Sequence, residues 1–320
     1  MLQIILLGIG FLILIIQQYI QPISSEGQFL LFLVGIILLG IPHGAADLLV
    51  AMQNTKNENQ NENQVKKFSK INFSVNYIAR LVLFGIVIWI FPLFGNLLFI
   101  IFAAYHFGET DLLMFKKDNI LGNLLVFSYG MLIMSVILLC HVEEATPVFH
   151  LLSPDTLKNQ QIIGWLTKYR YLVLSFTVII FLINAFFYFL VHKSDRNDQK
   201  NFFLRLALIL LIVNQIPMTL GFTFYFVMWH SVLSLQNIIN YLRKDNIFSI
   251  SLIIKQISIY SFIAMLGIAV FGLSAFIFIH HNALITNAVM MYVFMGLAVL
   301  TAPHMQIMHD MYKNMKKYAK

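Results

Sequence analysis

Ten apolar runs punctuate this 320-residue sequence, at residues 2–20, 28–52, 76–92, 95–115, 121–141, 171–192, 202–217, 219–242, 256–280 and 286–311. Most are close to the roughly 20 residues that an α-helix needs to cross a bilayer. In lipid, every backbone N–H and C=O must find its partner within the protein, which leaves helices for runs of this length. The expected fold is therefore all-α: a polytopic transmembrane bundle of about ten helices forming a single domain over residues 1–320. With 59% apolar and 11% charged residues, too little polar surface exists to cover a water-soluble globule, so membrane lipid is the expected surroundings. The third and fourth runs divide at Phe91-Pro92-Leu93-Phe94-Gly95, and the seventh and eighth between Pro217 and Gly221. The first run lacks a cleavage-site pattern and reads as a retained helix.

Two connections stand apart. Residues 53–70 are polar and low in complexity, and are expected to form a disordered loop. Residues 142–170, with Glu143, Glu144, Pro147 and Asp155, are expected to form an external loop with a short amphipathic piece at the membrane surface. If the amino terminus is cytoplasmic, 18 of the 21 basic residues fall in cytoplasmic loops or the tail, leaving Lys158, Lys168 and Arg170 outside. The positive-inside rule thus supports ten helices with both termini in the cytoplasm; the expected location is the cell's inner (cytoplasmic) membrane. The net charge of +7 is scattered between apolar runs and reads as this topology signal, not as a nucleic-acid surface. A single cysteine, Cys140, excludes cysteine-based metal sites and intramolecular disulfides, so any metal chemistry must use the ten histidines.

Ionisable groups deep in membrane helices are costly and usually functional. His141, His192, His280 and His281 lie at expected helix ends and His150 in a loop, where wet imidazoles need no special role. His43, His106, His230 and His304 lie inside the second, fourth, eighth and tenth runs, which all point from outside to inside. They precede Lys56, Lys116, Arg243 and Lys313 by 13, 10, 13 and 9 residues. At about 1.5 Å rise per residue, all four sit roughly 13–20 Å from the cytoplasmic charge layer. One such histidine is more often a core residue bonded to a neighbouring hydroxyl or carbonyl; four at one depth favour a shared metal, since imidazole suits iron, zinc and copper. Asp47 is four residues after His43 and Glu109 three after His106, so each carboxylate shares its histidine's helix face and could equally take the second ring N–H or pair with another polar group. Asp111 and His309, each five residues from a deep histidine, are rotated about 140° away and are weaker candidates.

The local sequences Pro42-His43-Gly44-Ala45-Ala46-Asp47, Tyr105-His106-Phe107-Gly108-Glu109-Thr110-Asp111, Trp229-His230-Ser231 and Pro303-His304-Met305 run in this order over most of the chain. As a set they resemble the Brp/Blh family of membrane-embedded β-carotene 15,15'-dioxygenases, which supply retinal to microbial rhodopsins. The resemblance implies cleavage of the central double bond of β-carotene by O₂ into two all-trans-retinal molecules at an Fe(2+) ion. It also implies His43, His106, His230 and His304 as ligands, and a retinal-accepting rhodopsin as partner. Ser234 stands where many relatives have a histidine, four residues after the Trp-His-Ser histidine. No protein nucleophile or acid–base pair is required beyond the metal centre if the metal carries the oxygen chemistry. Two rival functions use the same histidines: a haem-b electron carrier with bis-histidine ligation, and a transporter with a histidine proton relay.

Overall fold

The computed structural model describes residues 1–62, 67–115, 119–152, 157–192, 196–243, 249–279 and 285–317. These residues are almost wholly helical, without strands. The helices are α1 (Leu2–Ile20), α2 (residues 25–62), α3 (Lys70–Ile90), α4 (Pro92–Asp111), α5 (Ile120–Leu139) and α6 (Val142–Leu152), followed by α7 (Leu157–Lys168), α8 (Arg170–Val191), α9 (Arg196–Gln215), α10 (Met218–Arg243), α11 (Ile250–Ile279) and α12 (Ile285–Lys317). Among the described residues, eight helices are long and apolar enough to cross a membrane: α1, α2, α3, α4, α5, α8, α10 and the first part of α11. The protein is an all-α polytopic membrane protein. The runs at 202–217 and 286–311 are also helical, as α9 and α12, but are not among these eight. In α9 the charged opening Arg196, Asp198 and Lys200 and the closing Asn214 and Gln215 dilute the apolar stretch.

The helix starts follow local chemistry. Ser24, Ser69 and Asn119 accept hydrogen bonds from Gly27 N, Asn72 N and Gly122 N, capping α2, α3 and α5. α3 shows how the spans meet lipid: Phe84 and Ile88 are buried, while Val75, Ile78, Val82, Leu83, Ile86 and Trp89 on its other faces are exposed. Apolar side chains turned outward on this scale are what a bilayer tolerates and water does not.

The chain forms two compact units where the sequence reads as one domain: Met1–Ile36, Phe107–His150 and Asp155–Val232 make the first, and Ile37–His106, Leu151–Pro154 and Leu233–Lys320 the second. No shift in composition marks this division, because its boundaries fall inside the continuous helices α2, α4 and α10. In the first unit α5 is largely enclosed and packs along α8, while α1 packs on α9 and the start of α2 packs on α10. In the second, α12 packs on α3 and on the later part of α2, and α11 on the segment Ile41–Ala45.

Two connections differ from expectation. Residues 53–62 continue α2 as a helix, although their composition is that of a solvated loop. Gln53, Asn54 and Asn57 share one face and are buried, with Asn57 Nδ2 donating to Tyr241 Oη at 2.8 Å. Tyr241 in turn donates to Asn54 Oδ1 at 2.6 Å, and Asn314 Nδ2 donates to the same oxygen at 3.2 Å. The amides are thus partners for polar groups on α10 and α12, which a reading of composition misses. The 142–170 connection is likewise built mainly of two helices, α6 and α7. Glu144 Oε2 ties it down by accepting from Met218 N at 2.9 Å.

Candidate metal centre

Helix irregularity marks the places where the deep histidines sit. A π-helical turn, Ile36–Gly40, and Pro42 precede His43; the π-helical stretch Thr223–His230 ends on His230; and Pro303 lies inside α12 one residue before His304. π turns and prolines break the regular register and re-aim the side chains beyond them, and π turns are common at functional sites.

In the second unit His43, His106 and His304 come together, all buried. The His304 ring meets that of His43 edge-on at 4.9 Å between centroids and that of His106 at 5.0 Å. His43 and His106 offer ring nitrogens within 4.8 Å of each other. His43 Nδ1 lies 3.4 Å from Leu39 O, one turn back on α2. His304 Nδ1 lies 2.7 Å from Asp47 Oδ1, while its Nε2 is buried with no hydrogen-bond partner. With an ionised carboxylate, which only accepts, and a neutral ring, Nδ1 would carry the proton and Nε2 would offer its lone pair. A buried lone pair of this kind is costly unless something electrophilic takes it, and this is the arrangement seen where histidine ligates metal. Three neutral imidazoles suit a divalent transition metal.

Asp47 is placed differently from the helix-face reading of the sequence. Asp47 serves His304, 257 residues away, and not His43 on its own helix. The helix is not regular between the two: the segment Ile41–Ala45 ends in a turn at Ala46 before α2 resumes, and α12 packs on the face that Asp47 presents. The other Asp47 oxygen, Oδ2, accepts from Tyr77 Oη at 2.9 Å, extending the chain to α3. Tyr77 carries no sequence signal beyond being a polar aromatic in an apolar run.

His230 and Glu109 belong to the first unit and are buried there. The His230 ring lies 4.6 Å from that of Phe107 and stacks at 12° to that of Phe226, 6.1 Å away. Gly108, between His106 and Glu109, lets α4 approach α5: a Cβ there would lie 2.0 Å from Val126 O. Asp111 accepts three hydrogen bonds, from Tyr129, Tyr225 and Trp229, and so has a role that the sequence does not reveal. Among the peripheral histidines, His141 Nε2 lies 3.0 Å from Val213 O and His192 stacks on Tyr188. His280 and His281 lie outside the described residues.

The family model for beta-carotene 15,15'-dioxygenase matches residues 34–312, which takes in all four deep histidines. The chain belongs to the beta-carotene 15,15'-dioxygenase family. No curated protein and no solved structure matches it. Family membership makes this an enzyme of the dioxygenase class with β-carotene as its substrate, and such chemistry calls for a metal. The buried ring nitrogens of His43, His106 and His304 are of the kind that could bind one.

Proposed function

We propose that this protein cleaves the central 15,15' double bond of β-carotene with O₂, adding one oxygen atom to each carbon of that bond and releasing two molecules of all-trans-retinal. The observation that carries the reading is the buried His304, with Asp47 on Nδ1 and nothing hydrogen-bonded to Nε2, in contact with the rings of His43 and His106. These three histidines are the residues that would hold a ferrous ion, and His230 is the fourth candidate ligand by its depth along the sequence. Bound there, the ion would supply a site at which O₂ is activated beside the polyene.

The chain's own residues do the rest. Asp47 Oδ1 holds the Nδ1 proton of His304 and so fixes the tautomer that presents Nε2. Tyr77 Oη donates to Asp47 Oδ2 and keeps the carboxylate from turning. Phe107 and Phe226 lie against the buried His230 ring and help to exclude water from it. Apolar side chains of the spans suit a hydrocarbon substrate that partitions into the bilayer, where packing provides most of the binding. The edge-to-face contacts of His304 with His43 and His106 leave no slot for a macrocycle between those rings, which disfavours haem at this group. The reading places the enzyme in the inner (cytoplasmic) membrane, with a retinal-accepting rhodopsin as the consumer of its product.

The test is expression in a β-carotene-accumulating bacterium followed by chromatography of the pigments. Cells are expected to lose orange colour and gain all-trans-retinal, and His43→Ala, His106→Ala, His230→Ala and His304→Ala each to abolish the conversion and the bound iron. Unchanged carotene at good expression and aeration would refute the reading, and long apocarotenals would move the cut to another bond.

A further inference from the structure

The first unit contains a polar cluster that the metal reading does not use. Asp111 is the last residue of α4, and its Oδ2 accepts from Tyr129 Oη at 2.9 Å, Tyr225 Oη at 2.9 Å and Trp229 Nε1 at 3.0 Å. Its Oδ1 is buried with no hydrogen-bond partner. The three hydrogen bonds to this carboxyl therefore converge on one oxygen, and every donor is an aromatic side chain held in the core. Satisfying a carboxyl does not require three aromatic donors on one atom and none on the other. The arrangement is better understood from what it does to the donors.

Tyr225 and Trp229 are four residues apart in the π-helical stretch Thr223–His230. A π helix is uncommon because its hydrogen-bonded turn holds an extra residue, and a slip back to α register would rotate the residues beyond it by about 100°. Two donors from successive turns, tied to one oxygen of a different helix, oppose such a slip. The residue after Trp229 is His230, whose ring lies against those of Phe107 and Phe226. Close packing supports the same stretch from α2, where a Cβ on Gly35 would lie 2.6 Å from Val227 Cγ1. Packing of that kind limits displacement of the stretch but does not choose between two helical registers.

We infer that Asp111 is a positioning residue for His230: by holding the Tyr225 phenol and the Trp229 indole on one carboxyl oxygen, it locks the π-helical register of Thr223–His230 and with it the direction of the His230 ring. The consequence for metal rests on the proposed role of His230 as a ligand; the register itself does not.

The experiment uses full-length protein in which Trp89 and Trp165, both exposed, are replaced by Phe, leaving Trp229 as the only indole. Ultraviolet resonance Raman reads the hydrogen bond at its N–H in metal-free protein, and a ferrous titration against a competing chelator reads affinity. Asp111→Ala is expected to remove the indole hydrogen-bond signature and to weaken iron binding at least tenfold, at unchanged helical circular dichroism. Asp111→Asn keeps an acceptor oxygen and is expected to recover most of both. An unchanged indole signature in Asp111→Ala overturns the inference, and so, where His230→Ala loses iron, does a lost signature with wild-type iron affinity, because Trp229 would then be held without effect on His230. Should Asp111→Ala not fold, Trp229→Phe removes the indole N–H alone, and wild-type iron affinity in that variant is equally fatal. Full iron binding in His230→Ala would instead strike His230 from the ligand set, while the Raman arm still decides whether Asp111 sets the register.

Discussion

Asp47→Ala removes both hydrogen bonds that join Tyr77 to His304 in the second unit, one of 2.9 Å from Tyr77 Oη and one of 2.7 Å to His304 Nδ1. Leaving a buried donor without its acceptor costs about 1–3 kcal/mol. At 1.4 kcal/mol per factor of ten, that is roughly a 5- to 150-fold weaker metal site. Partners of metal-bound histidines elsewhere change affinity by about 10–100-fold when removed, so the two routes agree. Tyr77→Phe leaves the His304 bond in place and loses one hydrogen bond of about 0.5–1.5 kcal/mol, or roughly 2- to 10-fold. The assay is a ferrous titration of metal-stripped protein against a chelator of known affinity, run beside His304→Ala. The expected order of affinity is wild type, Tyr77→Phe, Asp47→Ala, His304→Ala. Wild-type affinity in Asp47→Ala, with affinity lost in His304→Ala, would refute the idea that the carboxylate fixes the imidazole.

Gly108→Ala should prevent folding or sharply reduce yield, because the new Cβ would meet the backbone oxygen of Val126 at 2.0 Å and backbone does not yield cheaply; Gly164→Ala, with nothing within 4 Å, is the matched control, both read by fluorescence-detected size exclusion. Tyr241→Phe takes the hydroxyl out of the Asn54–Asn57–Asn314 network and should destabilise by about 1–3 kcal/mol in thermal unfolding, while retinal formed per folded molecule stays within twofold of wild type. Reporter fusions at residues 60, 155 and 320 should show a cytoplasmic reporter working at 60 and 320 and an external one at 155. Opposite sides for 60 and 320 would mean an odd number of crossings between them, and the common depth of the histidines would need recounting.

The helical membrane architecture is legible because a bilayer demands long apolar stretches and closed backbone hydrogen bonding, and both leave a mark on single sequences. The meeting of His43, His106 and His304 is legible for a related reason: depth along a span can be counted from the charge layer. Direction around a helix cannot be counted where the register breaks, and the π turn before His43 and the turn at Ala46 sit just there. An α-helical wheel therefore pairs Asp47 with the wrong histidine, and it passes over Asp111, whose donors come from other helices. The helix through residues 53–62 is hidden for another reason, since composition reports what a segment can dissolve in and says nothing of amide partners on α10 and α12. The two-unit organisation has no sequence signal because its seams run through unbroken helices.

The polar face of α2 also sets an order of events during synthesis. Asn54 takes its bonds from Tyr241 and Asn314, 187 and 260 residues further on, and Asp47 finds His304 after 257. At about 5–20 residues per second, the ribosome needs roughly 10–50 s to deliver those partners. For that time the nascent α2 carries amides and a carboxylate that lipid cannot satisfy. α12 is thus the closing piece of the second unit, and a chain that stops short of it presents to membrane proteases the same side chains that hold the finished enzyme together.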